Sequence, residues 1–157
     1  MSTAVKMKIL IAVFQLSLLT LSASAFTGFY QTIDDKTNQP KSIVYLYEQD
    51  GMLRGKIVAL YTDGKISETI LKPVRIAEKV KDKPHTAGLV IIWDMKPDGK
   101  EYRGGKIMDP ASGSIYSAVI WQEDPATLKV RGKIGPIGRT QTWNAIKKPA
   151  ELKDWMP

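Results

Sequence analysis

Apolar and polar residues alternate with a period of two along most of this chain. In residues 127–134, Leu128, Val130 and Ile134 fall on one side and Lys129, Arg131 and Lys133 on the other, which predicts a half-buried antiparallel strand. Residues 52–61 repeat the pattern, with Leu53, Ile57, Ala59 and Tyr61 opposed to Arg54 and Lys56. Two stretches are apolar on both sides: Ile43, Tyr45 and Tyr47 alternate with Val44 and Leu46, and Ile91 and Trp93 alternate with Val90 and Ile92. Strands of that kind lie under cover on both faces or wall a cavity. Strands are expected over 29–33, 42–48, 52–61, 66–74, 89–95, 101–108, 114–122, 127–134 and 140–146, the pattern being weakest at 66–74. Turn residues separate them, at Asp50-Gly51, Asp63-Gly64, Pro97-Asp98-Gly99, Asp109-Pro110 with Ser112-Gly113, and Asp124-Pro125. Short helical pieces are expected only at 76–80 and after Pro149. A run of hairpins predicts an all-β fold, an antiparallel up-and-down barrel of about eight strands, because closure removes exposed edges; an open sandwich is the alternative.

The N-terminus breaks this rhythm. Lys6 and Lys8 precede an apolar run at 9–21, and Ala23-Ser24-Ala25 follows with small residues at the two positions a signal peptidase reads. The run holds 13 residues and includes Gln15 and Ser17, whereas a membrane span needs about 20 apolar residues. A cleaved signal peptide at 1–25 is therefore expected, with no membrane span, and a protein that works in the periplasm or outside the cell. The rest divides into a barrel domain at 26–148 and a C-terminal tail at 149–157.

Composition narrows the chemistry more than it defines it. The chain has 157 residues, a net charge of +7, no cysteine and one histidine, His85. These counts exclude a disulfide scaffold, thiolate metal sites, a Cys nucleophile and any site needing two imidazoles from one chain. Gly135-Pro136-Ile137-Gly138-Arg139-Thr140 lacks the spacing, the Lys and the helix of a phosphate loop. Asp34, Asp35, Asp94 and Glu101 are scattered, and Asp109 before Pro110 is expected to hold a turn through its carboxylate. No catalytic motif, metal or cofactor is indicated. The basic surplus would attract anionic envelope components; export argues against nucleic acid as a partner.

Blocks of residues carry a resemblance. Gly105-Lys106-Ile107-Met108-Asp109-Pro110, then Ser112-Gly113, Tyr116, Val130-Arg131-Gly132 and Gly138-Arg139-Thr140-Gln141-Thr142-Trp143 resemble a family of small exported bacterial proteins, the domain of unknown function number 2147. Pro40-Lys41-Ser42-Ile43-Val44 and Leu53-Arg54-Gly55-Lys56-Ile57-Val58 extend the likeness upstream. Many members carry two cysteines mid-chain; this chain has none in 61–84. The resemblance implies a barrel similar to lipocalins, which begin with Gly-x-Trp and close the barrel floor with a late Arg packed over that Trp. Gly28-Phe29-Tyr30 takes the first position with Tyr for Trp, and Arg139 is the counterpart of the Arg. Its guanidinium is expected on Tyr30 or Trp143 near the closed end, a structural role for all three.

Three classes of function follow: a carrier of a small, mainly apolar ligand, an envelope interaction module with a filled barrel, and an unidentified hydrolase. The first has the most residues behind it. Tyr45, Tyr47, Ile57, Trp93 and Tyr116 are the expected cavity walls, tyrosine offering a flat apolar body with one hydroxyl for orientation. A fatty acid or similar amphiphile is the expected ligand.

Overall fold

The computed structural model describes residues 25–157; the apolar run at 9–21 lies outside them, as does the expected signal segment at 1–25 apart from Ala25. Nine antiparallel strands follow in order: β1 (Gly28–Ile33), β2 (Pro40–Gln49), β3 (Met52–Thr62), β4 (Lys65–Thr69), β5 (Val90–Asp98), β6 (Glu101–Met108), β7 (Ile115–Asp124), β8 (Thr127–Ile134) and β9 (Ile137–Ile146). Each of β1 to β3 pairs with its successor, β3 reaches β5, and the pairing continues strand by strand to β9, which returns to β1. Eight strands therefore close into a barrel, and β4 sits outside the cycle. It occupies the edge of β3 beyond the point where β5 has left it: Leu53, Gly55 and Lys56 of β3 face β5, while Ala59 to Thr62 face β4.

The two ends differ because their connections differ. At one end β2–β3, β5–β6 and β7–β8 are joined by two-residue turns, with Asp50 and Gly51 both at positive φ in the first. There Phe26 plugs the barrel, its ring 5.0 Å from that of Tyr102, whose hydroxyl donates to Glu48 Oε1 at 2.5 Å. Above this plug Leu46, Leu53, Met95, Ile120 and Leu128 fill the interior almost without exposure. At the other end the longer β1–β2, β4–β5 and β6–β7 connections rise above the rim, together with the tight β8–β9 turn.

The β4–β5 connection replaces the long strand expected at 66–74 and the helical piece expected at 76–80. The buried Glu68 carboxylate accepts the Val74 and Arg75 N–H groups, each at 2.8 Å, and Pro73 has no N–H for a ladder; the chain bends out after Thr69. Residues 75–86 then double back as a loop, with Ile76 bridged to His85 and Thr86 N–H bonded to the Arg75 carbonyl. Of the expected helix only a turn forms, with the Val80 N–H bonded to the Ala77 carbonyl at 3.0 Å, and positive φ at Asp82 and Lys83 then reverses the chain. A short 3-10 helix (Ala150–Leu152) does form after Pro149, and Leu152 is fully buried on the outer wall beside Ile43, Val58 and Ala59.

Two glycines of similar appearance have opposite constraints. A Cβ on Gly105 would lie 2.3 Å from the Trp93 carbonyl oxygen and 2.7 Å from the Met95 nitrogen, both fixed backbone; on Gly138 it would meet only the guanidinium of Arg131, at 2.8 Å or more. Gly105→Ala is expected to lower stability by about 2 kcal/mol or more, as backbone has to shift, and Gly138→Ala by under about 1 kcal/mol, as a long side chain swings aside. Chemical denaturation of the two variants checks both; equal costs would contradict the packing described.

Candidate functional site

The interior changes character halfway up. Below, large side chains meet across the axis; above, the inward positions include Thr32, Ser42, Gly132 and Gln141, which are too small or too polar to close the space between the larger residues. A cavity of about 330 Å³ results, open at the rim. Its walls are Ile57, Ile91, Ile107, Tyr116 and Val130, and Trp143, 1% exposed, also lines it. The Trp143 indole N–H donates to Gln141 Oε1 at 3.1 Å. Thr32 and Ser42 satisfy one another through a 2.7 Å hydroxyl contact, and the Ser42 N–H donates to Thr32 Oγ1 at 3.1 Å. A second hollow of about 220 Å³ adjoins it beneath residues 75–78 and shares Lys41, Ser42, Ile57 and Pro110 with the first.

The rim is charged. Lys41, Lys133 and Arg139 border the cavity together with Asp109. Asp109 is committed to its turn: Oδ1 accepts the Ala111 N–H at 3.0 Å and Oδ2 the Ser112 hydroxyl at 2.9 Å. Arg139 is paired with Asp35 of the β1–β2 loop. That loop is braced by Asp34, whose Oδ1 accepts the Lys36 and Thr37 N–H groups, both at 2.9 Å. These bonds, first Thr37 and then Lys36, hold its carboxyl below the usual carboxylate range. Within the core, burial pushes the Tyr30 phenol up, so it stays neutral.

Of the five expected wall residues, Ile57 and Tyr116 line the cavity and three do not. Tyr45 and Tyr47 point outward, because Val44 and Leu46 take the interior positions of β2. Tyr45 packs against Phe29, Tyr47 and Trp155, with centroids 4.9, 5.9 and 5.3 Å away. Trp93 pairs with Lys106, out of step with Ile92 and Ile107, and packs half-buried against the core without lining the cavity. Arg139 also departs from its expected place. Tyr30 and Trp143 belong to the main core, but Arg139 stands four residues nearer the β8–β9 turn than Trp143, about 13 Å along the strand. It therefore sits at the open end, stacks on neither ring, and its side chain is 66% exposed. Val130 and Ile134 could have been found from the parity of 127–134; Thr32, Ser42 and Gly132 carry no sequence signal for a lining role.

An eight-stranded antiparallel barrel, plugged where the chain enters and hollow at the other end, is a lipocalin-like barrel. Residues 28–145 match the family model described as "Uncharacterized protein conserved in bacteria (DUF2147)", and the chain belongs to that family. Among solved structures it is similar to protein HP1028 from the human pathogen Helicobacter pylori, which belongs to the lipocalin family. The TM-score is 0.63 at 22% identity, over 82% of this chain and 86% of that one. No curated protein sequence matches the chain.

Arg139→Lys is expected to change the melting temperature little, by the equivalent of under about 0.5 kcal/mol, since an exposed ion pair contributes little. A large loss would place the guanidinium in the core instead. The Asp34 carboxyl has a lowered folded value, so its bracing of the β1–β2 loop is complete above the ordinary 3.8 and is lost as pH falls through the lower folded value. The Thr37 amide resonance, followed by NMR, should titrate below pH 3.8; a midpoint above that would contradict the geometry.

Proposed function

We propose that this protein is an exported carrier that binds a small, mainly apolar ligand, such as a fatty acid or similar amphiphile, in the open half of the barrel. The observation behind this reading is the cavity of about 330 Å³, walled by Ile57, Ile91, Ile107, Tyr116 and Val130 and bordered by Lys41, Lys133 and Arg139. Each methylene moved from water to such walls contributes about 0.8 kcal/mol, against a cost of at least ~4 kcal/mol for immobilising the molecule. A chain of several methylenes is thus needed for useful affinity. The rim cations suit one anionic head group held near the mouth.

The direct test is thermal shift with a panel of medium- and long-chain fatty acids, alongside native mass spectrometry of the protein as purified. A bound amphiphile should raise the melting temperature and alter the intrinsic fluorescence, since Trp143 is one of the four tryptophans and lines the cavity. Gly132→Leu should abolish the shift, because a Cβ there already lies 3.2 Å from Ile107 and 3.4 Å from Tyr116, so a longer side chain projects into the cavity. Tyr47→Ala, on the outer wall, should leave it intact. If no amphiphile shifts the melting temperature and only the bare chain flies, the carrier reading fails and an interaction module takes its place. For export, the purified protein should begin at Phe26 by N-terminal sequencing.

A further inference from the structure

The β8–β9 hairpin holds large apolar side chains out in water. Ile134 and Ile137, paired across the Gly135-Pro136 turn, are 65% and 79% exposed, and Ile115 at the start of β7 is 53% exposed. Single exposed isoleucines are ordinary; two cross-strand partners held out at the tip of one hairpin, with a third at the start of the neighbouring strand, concentrate apolar surface at one rim. This surface is also continuous with the cavity, since Ile134 and Ile137 border its mouth.

Directly behind this tip the outer wall is basic. One row across the sheet runs Lys106, Ser117, Lys133, and the next runs Arg103, Val119, Arg131, Thr140. Lys106 donates to the Ser117 hydroxyl at 3.2 Å and Arg131 to Thr140 at 3.1 Å, and none of Lys106, Lys133 and Arg131 forms an ion pair among the described residues. Asp94 of β5, exposed, falls between the registers of Lys106 and Arg103; farther down, Asp98 and Glu101 pair with Arg103, and Glu123 with Lys129. Near the tip, Asp35 pairs with Arg139, and Asp109 accepts hydrogen bonds within its own turn.

We infer that the open rim docks on an anionic lipid bilayer, with the Ile134–Ile137 tip at the boundary of head groups and acyl chains and the basic row on lipid phosphates. An apolar wedge backed by lysines and arginines is the arrangement that interfacial binding requires, since apolar burial and attraction to anionic lipid add. A second copy of this chain would bring like-charged rows together, which favours lipid as the occupant. Docked this way, the cavity mouth faces the acyl chains. The docking stands on the hairpin and the basic row alone; its use for ligand exchange rests on the proposed function, which the fatty-acid titration without vesicles tests separately.

The chain has no cysteine, so one introduced thiol carries one label. Ile137→Cys with an environment-sensitive fluorophore should brighten and shift to the blue on phosphatidylglycerol-containing vesicles, not on pure phosphatidylcholine, and the change should reverse with added salt. The same label at Lys100→Cys, in the β5–β6 turn at the plugged end, should not respond. Adding Ile134→Ser should weaken vesicle binding about tenfold, and Lys133→Gln about fivefold. Docking by the open rim is overturned if the label at 137 stays in water on anionic vesicles. It is equally overturned if the label at 100 responds as strongly, which would make the N-terminal end the anchor. If the label at 137 leaves water without vesicles as protein concentration rises, the occupant is a second copy and the lipid assignment falls.

Discussion

Closure of the sheet is the constraint from which the rest follows. Eight strands joined in one cycle remove most of the exposed edge, leaving β4 and the upper half of β9 paired on one side only, and they also fix how wide the interior is. That width is just sufficient for side chains to meet, so residue size at each inward position decides whether a given level is solid or hollow. Leucine, isoleucine and methionine make the lower levels solid. Glycine, serine and threonine make the upper level hollow, and the Thr32–Ser42 hydroxyl pair keeps its polar atoms satisfied without filling the space. The cavity is thus a consequence of side-chain volumes on an otherwise regular barrel.

The parity of β8 was legible because its two faces differ: one side is core, the other lysines and arginine. β2 was not, and the reason is the C-terminal tail. Leu152 and Trp155 lie on the outside of the barrel and bury Ile43 completely, so hydrophobicity marks both faces of β2 alike. Its inward position at the cavity is Ser42, which carries no apolar signal at all. In β5 the alternation is interrupted twice. The register shift opposite Gly55 and Lys56 brings Ile91 and Ile92 both into the core, and Asp94 adopts a φ of 55°. Trp93, between the two interruptions, packs against the core without lining the cavity. The barrel itself survives such local failures, since strand number and turn placement depend on many residues and wall assignment on one register.

Arg139 shows how far a resemblance reaches. A late arginine near a tryptophan implied a cation stacked at the barrel floor, but the strand begins at Ile137 and runs downward, so Arg139 lies at the top. Its partner, Asp35, belongs to a loop that Asp34 organises through backbone hydrogen bonds. The plug at the opposite end is made instead by Phe26 against Tyr102. An aromatic ring supplied by the incoming chain closes the floor here.

Separation of a solid half from a hollow half also divides what substitution can do. Changes among Leu46, Leu53, Met95, Ile120 and Leu128 disturb close packing and are felt by the whole molecule. Changes at Ser42, Gly132 or Gln141 alter the shape and polarity of an empty volume while the packed levels beneath continue to hold the strands in register. Such a change reshapes what the barrel encloses, at a cost confined to its own neighbours: the partner of the Thr32 hydroxyl at Ser42, that of the Trp143 indole N–H at Gln141, and the close approach of Ile107 at Gly132.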